Sequence, residues 1–280
     1  MIANYHTHTT RCHHAEGEDR QYVETAIERG LRILGFSDHT PYYYDGDYVS
    51  GVRMLPEEVE GYVESIQKLK DEYKSQIEIK LGFETEYYPK YFEKLLQLYA
   101  QYPVDYIILG QHFLNNEVGE IYTGRPEASI DRIDRYADQV IEAIHTGCFT
   151  YLAHPDLCLY EGDSQRYRNA MKRICLAAKE AGLPLEINLL GMRTNRHYPK
   201  KDFFRIAADC GCTIVLGSDA HRPEDVTDPA SEQTARGWVK ELGLTLLETV
   251  PLSDGKERKN IEQRENVAET KKEYGTGRKS

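Results

Sequence analysis

Positive charge is not in excess in this 280-residue chain: 35 Lys and Arg stand against 46 Asp and Glu, a net charge of −11. No global positive field therefore draws it to a nucleic-acid backbone or an anionic membrane surface. Long apolar runs are missing as well, since no stretch approaches the roughly 18–20 residues that span a bilayer. The opening Met1-Ile-Ala-Asn-Tyr-His-Thr-His has neither the basic region nor the apolar core of a secretory leader. The expectation is a cytoplasmic chain with no nucleic-acid partner and no membrane association. Cysteine is sparse too. Cys12, Cys148, Cys158, Cys175, Cys210 and Cys212 contain no CxxC pair, which argues against a zinc ribbon or a dithiol redox motif. Cys210-Gly-Cys212 is spaced too closely for an ordinary zinc pair and is read as structural. What is present is 40% hydrophobic residues, ample for a substantial core, so intrinsic disorder is excluded. A small substrate in a local site is the partner that fits.

Apolar β-rich runs alternate with segments of helical period, the pattern of repeated βα units around a mostly parallel sheet. Strands are predicted at Ile2 to Tyr5, Ile33 to Phe36, Ile77 to Phe83, Tyr106 to Leu109, Tyr151 to Ala153, Leu185 to Leu189 and Thr213 to Leu216. Helices are predicted over Tyr22 to Arg29, Pro56 to Tyr73, Phe92 to Gln101, Ile130 to His145, Arg166 to Ala181 and Lys201 to Cys210. Val59, Tyr62, Val63, Ile66 and Leu69 recur at three and four residues, as a core-facing helix requires. Gly147, Gly182 and Gly211 suit the left-handed position after a last turn. So many βα units favour a barrel one unit short of the (β/α)8 type, with an open sheet as the alternative. Residues 1–252 are expected to form this one domain. Residues 253–280 are charged, nearly without aliphatics, and expected to be a solvated tail.

The informative observation is the address of the histidines. His6 and His8 follow the first predicted strand, with His13 and His14 in its loop. His39 follows the second, His112 the fourth, His154 the fifth and His221 the seventh. In a parallel βα barrel the loops after the strands form one face, so these residues converge. Asp38, Glu84, Glu86, Asp156, Glu186 and Asp219 join them there. Imidazole nitrogens with carboxylate oxygens are a ligand set for zinc, manganese or ferrous iron, and are too nitrogen-rich for magnesium or calcium. His6 and His8 flank one extended residue, so both rings can point to the same side. One metal takes three or four ligands, and this rim offers enough for more than one ion.

His6-Thr-His8, Cys12-His13-His14, Ser37-Asp38-His39, Gly82-Phe83-Glu84, His112, Ala153-His154-Pro155 and Gly217-Ser218-Asp219-Ala220-His221 together resemble the polymerase and histidinol phosphatase (PHP) superfamily. Glu186-Ile-Asn188-Leu-Leu-Gly-Met-Arg193 and Gly110-Gln-His112-Phe resemble its branch of monofunctional histidinol phosphatases. The resemblance covers nearly all of residues 1–250. It implies a distorted (β/α)7 barrel with a trinuclear centre of divalent transition metals, Zn, Mn or Fe, at the carboxyl-terminal rim of the strands. Carried over by position, the first metal takes His6, His8, Glu84 and Asp219, the second Glu84, His112 and His154, and the third His14, His39 and His221. The spacing from His8 favours His14 over His13.

The expected reaction is hydrolysis of a small phosphate monoester, L-histidinol phosphate, to L-histidinol and phosphate, as in histidine biosynthesis. The attacking group is expected to be a metal-bridging hydroxide, with Asp219 orienting the water or accepting a proton. Arg193 is the candidate phosphate clamp, because a guanidinium binds two phosphate oxygens at once; Arg166 and Arg168 are weaker candidates. Thr40 to Asp47 places three tyrosines and two carboxylates either beside the substrate or in a partly buried lid. Three alternatives stand beside it. A PHP-type phosphoesterase with another small phosphate ester, nucleotide or oligonucleotide end is the main one. A non-catalytic, metal-stabilised module is disfavoured by the complete ligand set, and an amidohydrolase leaves His14, His39 and His221 unexplained.

Overall fold

Eight α-helices and seven strands are formed by residues 1–255, the residues that the structure, a computed structural model, describes. Strands β1 (Ala3–Asn4), β2 (Ile33–His39), β3 (Glu78–Thr85) and β4 (Tyr106–Leu109) make one parallel sheet in sequential order. Strands β5 (Leu185–Asn188), β6 (Thr213–Gly217) and β7 (Thr245–Leu246) make a second. Single parallel bridges join the two into a distorted barrel. Leu152 bridges Leu109 on one side and Leu185 on the other, and Thr7 bridges Ala220 across the remaining seam.

The strand expected at Tyr151 to Ala153 is thus reduced to one bridging residue. Its ladder bonds are nonetheless made on both edges, from Leu109 N–H to Tyr151, Ala153 N–H to Leu109, Leu152 N–H to Pro184 and Glu186 N–H to Leu152. His154 then turns the chain with φ of 29°. Helices α1 (Asp19–Glu28), α2 (Val59–Tyr73), α3 (Pro89–Tyr99), α4 (Ile130–His145), α5 (Ser164–Ala181) and α7 (Lys201–Asp209) correspond to the six predicted ones. The short α6 (Leu189–Arg193), α8 (Pro229–Leu242) and β7 were not anticipated. Only Ser231 and Ala235 of α8 are buried, so it lacks the broad apolar stripe that announces a helix in sequence.

Two apolar layers hold the barrel. Alternate strand residues Ala3, Tyr5, Tyr106, Ile108, Tyr151, Ala153 and Val215 form an inner cluster. Their neighbours Ile107, Leu109, Leu152, Ile214 and Leu216 pack outward with the buried stripes of the helices, such as Val59, Tyr62, Val63, Ile66 and Leu69 of α2. Each such side chain stabilises the fold by about 1.5–3 kcal/mol relative to exposure. Helix α5 runs between two caps, the Asp163 carboxylate accepting from the Arg166 N–H and Gly182 at φ of 66°. The expected tail lies outside the described residues beyond Gly255, while Ser253 itself exchanges hydrogen bonds with Thr150. Among the described residues no helix is long and apolar enough to cross a membrane.

Candidate metal centre

Strand register delivers the donors to one end of the barrel. Thr7 sits in the seam, where His8 N–H donates to Ala220 and Ala220 N–H donates to His6. The flanking His6 and His8 rings lie with centroids 5.2 Å apart. His39 closes β2 directly opposite Glu84 of β3. The Glu84 carboxylate fits because residue 110 is glycine: a Cβ there would lie 1.9 Å from Glu84 Oε1. Gly217 makes the same allowance for Glu186, whose Oε1 would be 1.7 Å from a Cβ. Asp219, like His154, adopts a left-handed backbone, with φ of 50°. A non-glycine residue held there costs about 1–3 kcal/mol and persists only where its surroundings impose it. At His154 the backbone N–H is held by the Glu186 carboxylate at 2.9 Å, and at Asp219 the carbonyl is held by Arg193 Nη2 at 2.9 Å.

Glu84 occupies the centre of the cluster and is 2% exposed. Its Oε2 faces His39 Nδ1 at 3.0 Å and the Nε2 atoms of His6 and His8 at 3.5 Å each. Its Oε1 faces His154 Nε2 at 2.7 Å and His112 Nε2 at 3.6 Å. Asp219 Oδ1 lies 3.6 Å from His6 Nε2 and 3.3 Å from His8 Nε2. Three sets of donor atoms lie within 4.8 Å of one another: His6, His8 and Asp219; His6, Glu84 and His154; and His14, His39 and His221. His8, His39 and Glu84 form an overlapping set, as do His8, Cys12 and His221. His13 points elsewhere, toward Glu58 at 3.7 Å.

The donor atoms fit cations. His6 Nε2, His8 Nε2, Glu84 Oε2 and His154 Nδ1 are buried without a hydrogen-bond partner among the described residues, and each such atom costs about 1–3 kcal/mol if nothing binds it. The far ring nitrogens are anchored instead. His6 Nδ1 meets Glu186 Oε1 at 2.7 Å, His14 Nδ1 the Cys12 carbonyl at 2.7 Å, His112 Nδ1 Glu86 Oε1 at 3.2 Å and His8 Nδ1 Asp38 Oδ1 at 3.4 Å. Carboxylates and carbonyls behind histidines in this way orient the ring and raise its basicity toward a metal. The overlapping sets and their N/O composition describe a site for more than one divalent transition metal ion.

The charges are strongly coupled. Burial pushes the Glu84 carboxyl up, but His112, His39 and His6 outweigh it and hold it well below the usual carboxylate range. Asp219 is likewise held low, against burial, by His6, His8 and His221. Burial lowers His6, yet Glu186, Asp219 and Glu84 raise it from 6.5 to about 10. Burial holds His39 and His221 well below the ordinary imidazole value, with His8 adding to the effect.

Above the cluster opens a cavity of about 930 Å³ lined by Glu84, His112, His154 and Asp219 at its base and by Arg193 and Arg196 on one wall. Arg193 lies in it with Nη1 donating to the Ser218 carbonyl at 2.7 Å and Nε 3.4 Å from Asp225. Arg166 pairs with Asp134, and Arg168 bonds Ser164 and Gln165; neither lines this cavity. The tyrosines of the Thr40 to Asp47 segment do not line it either. Tyr42 is buried against Tyr88, and Tyr44 bonds Glu117, so the cluster braces the loop from beneath. Val52 and the buried Arg53 do reach the cavity, the latter clamped between Glu86 and Glu117. His145 is exposed at the end of α4, and His197 Nε2 contacts the Leu157 carbonyl at 2.7 Å, so both lie outside the cluster.

Glu186 and Asn188 carry more of the site than sequence reasoning assigned to them. Asn188 Nδ2 donates to both Glu186 Oε2 and Asp219 Oδ2, at 2.9 and 3.0 Å. Two polar residues at a spacing of two on a buried parallel strand were the available signal, since that period puts them on one face.

Comparison with known proteins bears on this geometry. A family model described as PHP domain matches residues 4–189. A probable histidinol-phosphatase from Deinococcus radiodurans is 33% identical over 239 residues, covering 80% of this chain and 88% of the relative. The histidinol-phosphatase of Bacillus subtilis is 25% identical over 79% of this chain and 94% of its own. In fold, the chain is similar to the crystal structure of histidinol phosphate phosphatase from Lactococcus lactis complexed with zinc, L-histidinol and phosphate, with a TM-score of 0.69 at 23% identity, covering 91% of this chain and 98% of that one.

Proposed function

The chain belongs to the PHP-domain family, and on that premise we propose that it is a metal-dependent phosphomonoesterase that hydrolyses L-histidinol phosphate in the cytoplasm, its catalytic domain spanning residues 1–252. The observation that carries the reading is Glu84, a buried carboxylate whose two oxygens face two separate groups of imidazoles. Such a group bridges cations, and paired cations suit the charge of a phosphate ester. The match to named histidinol-phosphatases over most of this chain supports the substrate.

In this reading His6, His8, Glu84 and Asp219, then Glu84, His112 and His154, then His14, His39 and His221 would hold three divalent ions, zinc, manganese or iron. Bound there, such ions supply a deprotonated water at neutral pH and relieve the charge on the phosphoryl oxygens. The chain's own residues do the rest. Asp219, ionised at neutral pH and fixed by Asn188, orients the attacking water through its carboxylate. Glu186 fixes the tautomer of His6 by accepting from Nδ1–H, leaving Nε2 free for a metal. Arg193, on the cavity wall, secures the backbone of Ser218 and Asp219. The arginines and apolar side chains that line the cavity exclude bulk water around the ester.

Phosphate release from L-histidinol phosphate should be compared with release from p-nitrophenyl phosphate, a nucleoside monophosphate and a short oligonucleotide, after chelation and after manganese, zinc or iron is added back. The expected result is a metal-restored kcat/KM for histidinol phosphate at least about a hundredfold above the others. Comparable rates on all four would remove the substrate assignment. No metal-dependent rate on any would remove the phosphatase reading itself.

A further inference from the structure

The arginines of the cavity differ in what they already hold. Arg53 is locked between Glu86 and Glu117, Arg222 pairs with Glu16 at 3.1 Å, and Arg193 is engaged by two carbonyls and Asp225. Arg196 and Arg125 also line the cavity, and among the described residues neither has an ion-pair partner. Arg196 is the one fixed in place. Its Nη1 donates to the Tyr198 hydroxyl at 2.9 Å, and its guanidinium carbon lies 5.9 Å from the Tyr198 ring centroid.

Tyr198 ties this cation to the metal-facing histidines. It is 2% exposed, and its ring meets His154 edge-on with centroids 5.9 Å apart. Tyr122, which lines the same cavity, stacks on His112 with centroids 6.2 Å apart. The tyrosine is pinned from behind by Gly191, where a Cβ would lie 2.2 Å from the Tyr198 carbonyl oxygen. Asp219 is among the charges that act on the Arg196 guanidinium. The result is a wall of Arg196, Tyr198 and Tyr122 beside His112 and His154, ending in a cation with no ion-pair partner among the described residues.

We propose that Arg196, held by Tyr198, is the guanidinium that binds the phosphate group in this cavity, while Arg193 acts as a positioning residue for Asp219. The inference rests on the phosphomonoesterase reading and moves to Arg196 the anion contact that the sequence assigns to Arg193. A guanidinium committed to backbone carbonyls keeps few donors for a ligand, whereas one resting on a neutral phenol keeps most of them. Arg196 is moreover exposed toward the cavity, as a group that meets an incoming anion must be.

The test is titration of inorganic phosphate into the manganese-loaded protein by calorimetry, with metal content measured on the same samples. Arg196→Gln is expected to weaken phosphate binding about tenfold or more with unchanged metal content. Arg196→Lys should recover part of that loss, Tyr198→Phe should weaken binding by a smaller factor, and Arg168→Gln should leave it unchanged. Phosphate affinity in Arg196→Gln equal to that of the unaltered protein, or loss of metal from this variant, would overturn the assignment, as would no phosphate binding by the unaltered protein. Arg196-dependent phosphate binding in a protein that hydrolyses no phosphomonoester would leave this site standing and remove the phosphatase reading.

Discussion

At the lower end of the barrel the strands bury Tyr5, Tyr106, Ile108 and Tyr151 against one another. A few residues further along, the same strands or the turns leaving them bury His6, His8, Glu84, His154 and Asp219. The lower cluster contributes stability through transfer of apolar surface from water, at about 25 cal/mol per Å². Of its hydroxyls, that of Tyr106 donates to the Tyr5 carbonyl at 2.7 Å, and that of Tyr151 has no partner among the described residues. The upper cluster runs the other way, with unpartnered ring nitrogens and a carboxylate oxygen in a buried position and two ligand-bearing residues at positive φ. One end of the strands therefore carries the fold, and the other stores an unfavourable arrangement that cations relieve. A barrel makes this division natural, because the strand ends converge while the loops beyond them remain free to vary.

The largest way to break the contrast is Glu84→Gln, which removes the charge facing both groups of imidazoles. It should lower kcat/KM by about a thousandfold or more and cost the protein bound metal, read by elemental analysis beside phosphate release. His145→Ala is the matching control, and metal lost from it would sink the ligand scheme. Glu186→Gln acts one layer further out, on the orientation of His6 and the backbone of His154. Metal affinity should fall about 10- to 100-fold, measured by competition with a chelator.

The contrast also sets a pH dependence. In the metal-free protein His6 is raised from 6.5 to about 10 by Glu186, Asp219 and Glu84 acting against burial. A raised imidazole stabilises the fold fully below the unfolded value of 6.5, and that contribution is lost as pH rises through about 10. Metal must displace this proton, so apparent metal affinity rises across the same window. Thermal melts of metal-free and manganese-loaded protein should therefore diverge further at pH 9 than at pH 6.5, to the advantage of the loaded form; a constant gap would contradict the coupling. The smallest effect belongs to the lower end. Ile108→Val should destabilise by about 1 kcal/mol in denaturant melts and leave metal content and turnover unchanged.

The upper end was the more legible of the two in sequence. Histidines are few, and eight of the ten fall just after apolar strand-like runs or in the loop that follows, so topology alone brings them together. The backbone that supports them was harder to read. The strand expected at Tyr151 to Ala153 is reduced to the Leu152 bridge because the chain turns at His154, while β7, two residues long, carries too little periodicity to be recognised. Helix α8 hides behind its small buried face of Ser231 and Ala235. The roles of the arginines were the least legible. Arg193 and Arg196 lie three residues apart on one short segment, yet one is engaged by backbone carbonyls and the other rests on a phenol. That difference arises from the seating of Tyr198 against Gly191, a contact between residues seven positions apart that no local pattern marks.

The most direct test of the central claim is metal stoichiometry tied to turnover: manganese titrated into chelated protein, with bound ions per chain and phosphate release followed together. About three ions per chain are expected, with activity returning only after the sites around Glu84 are filled. A single bound ion, or full phosphate release from the chelated protein, would contradict it.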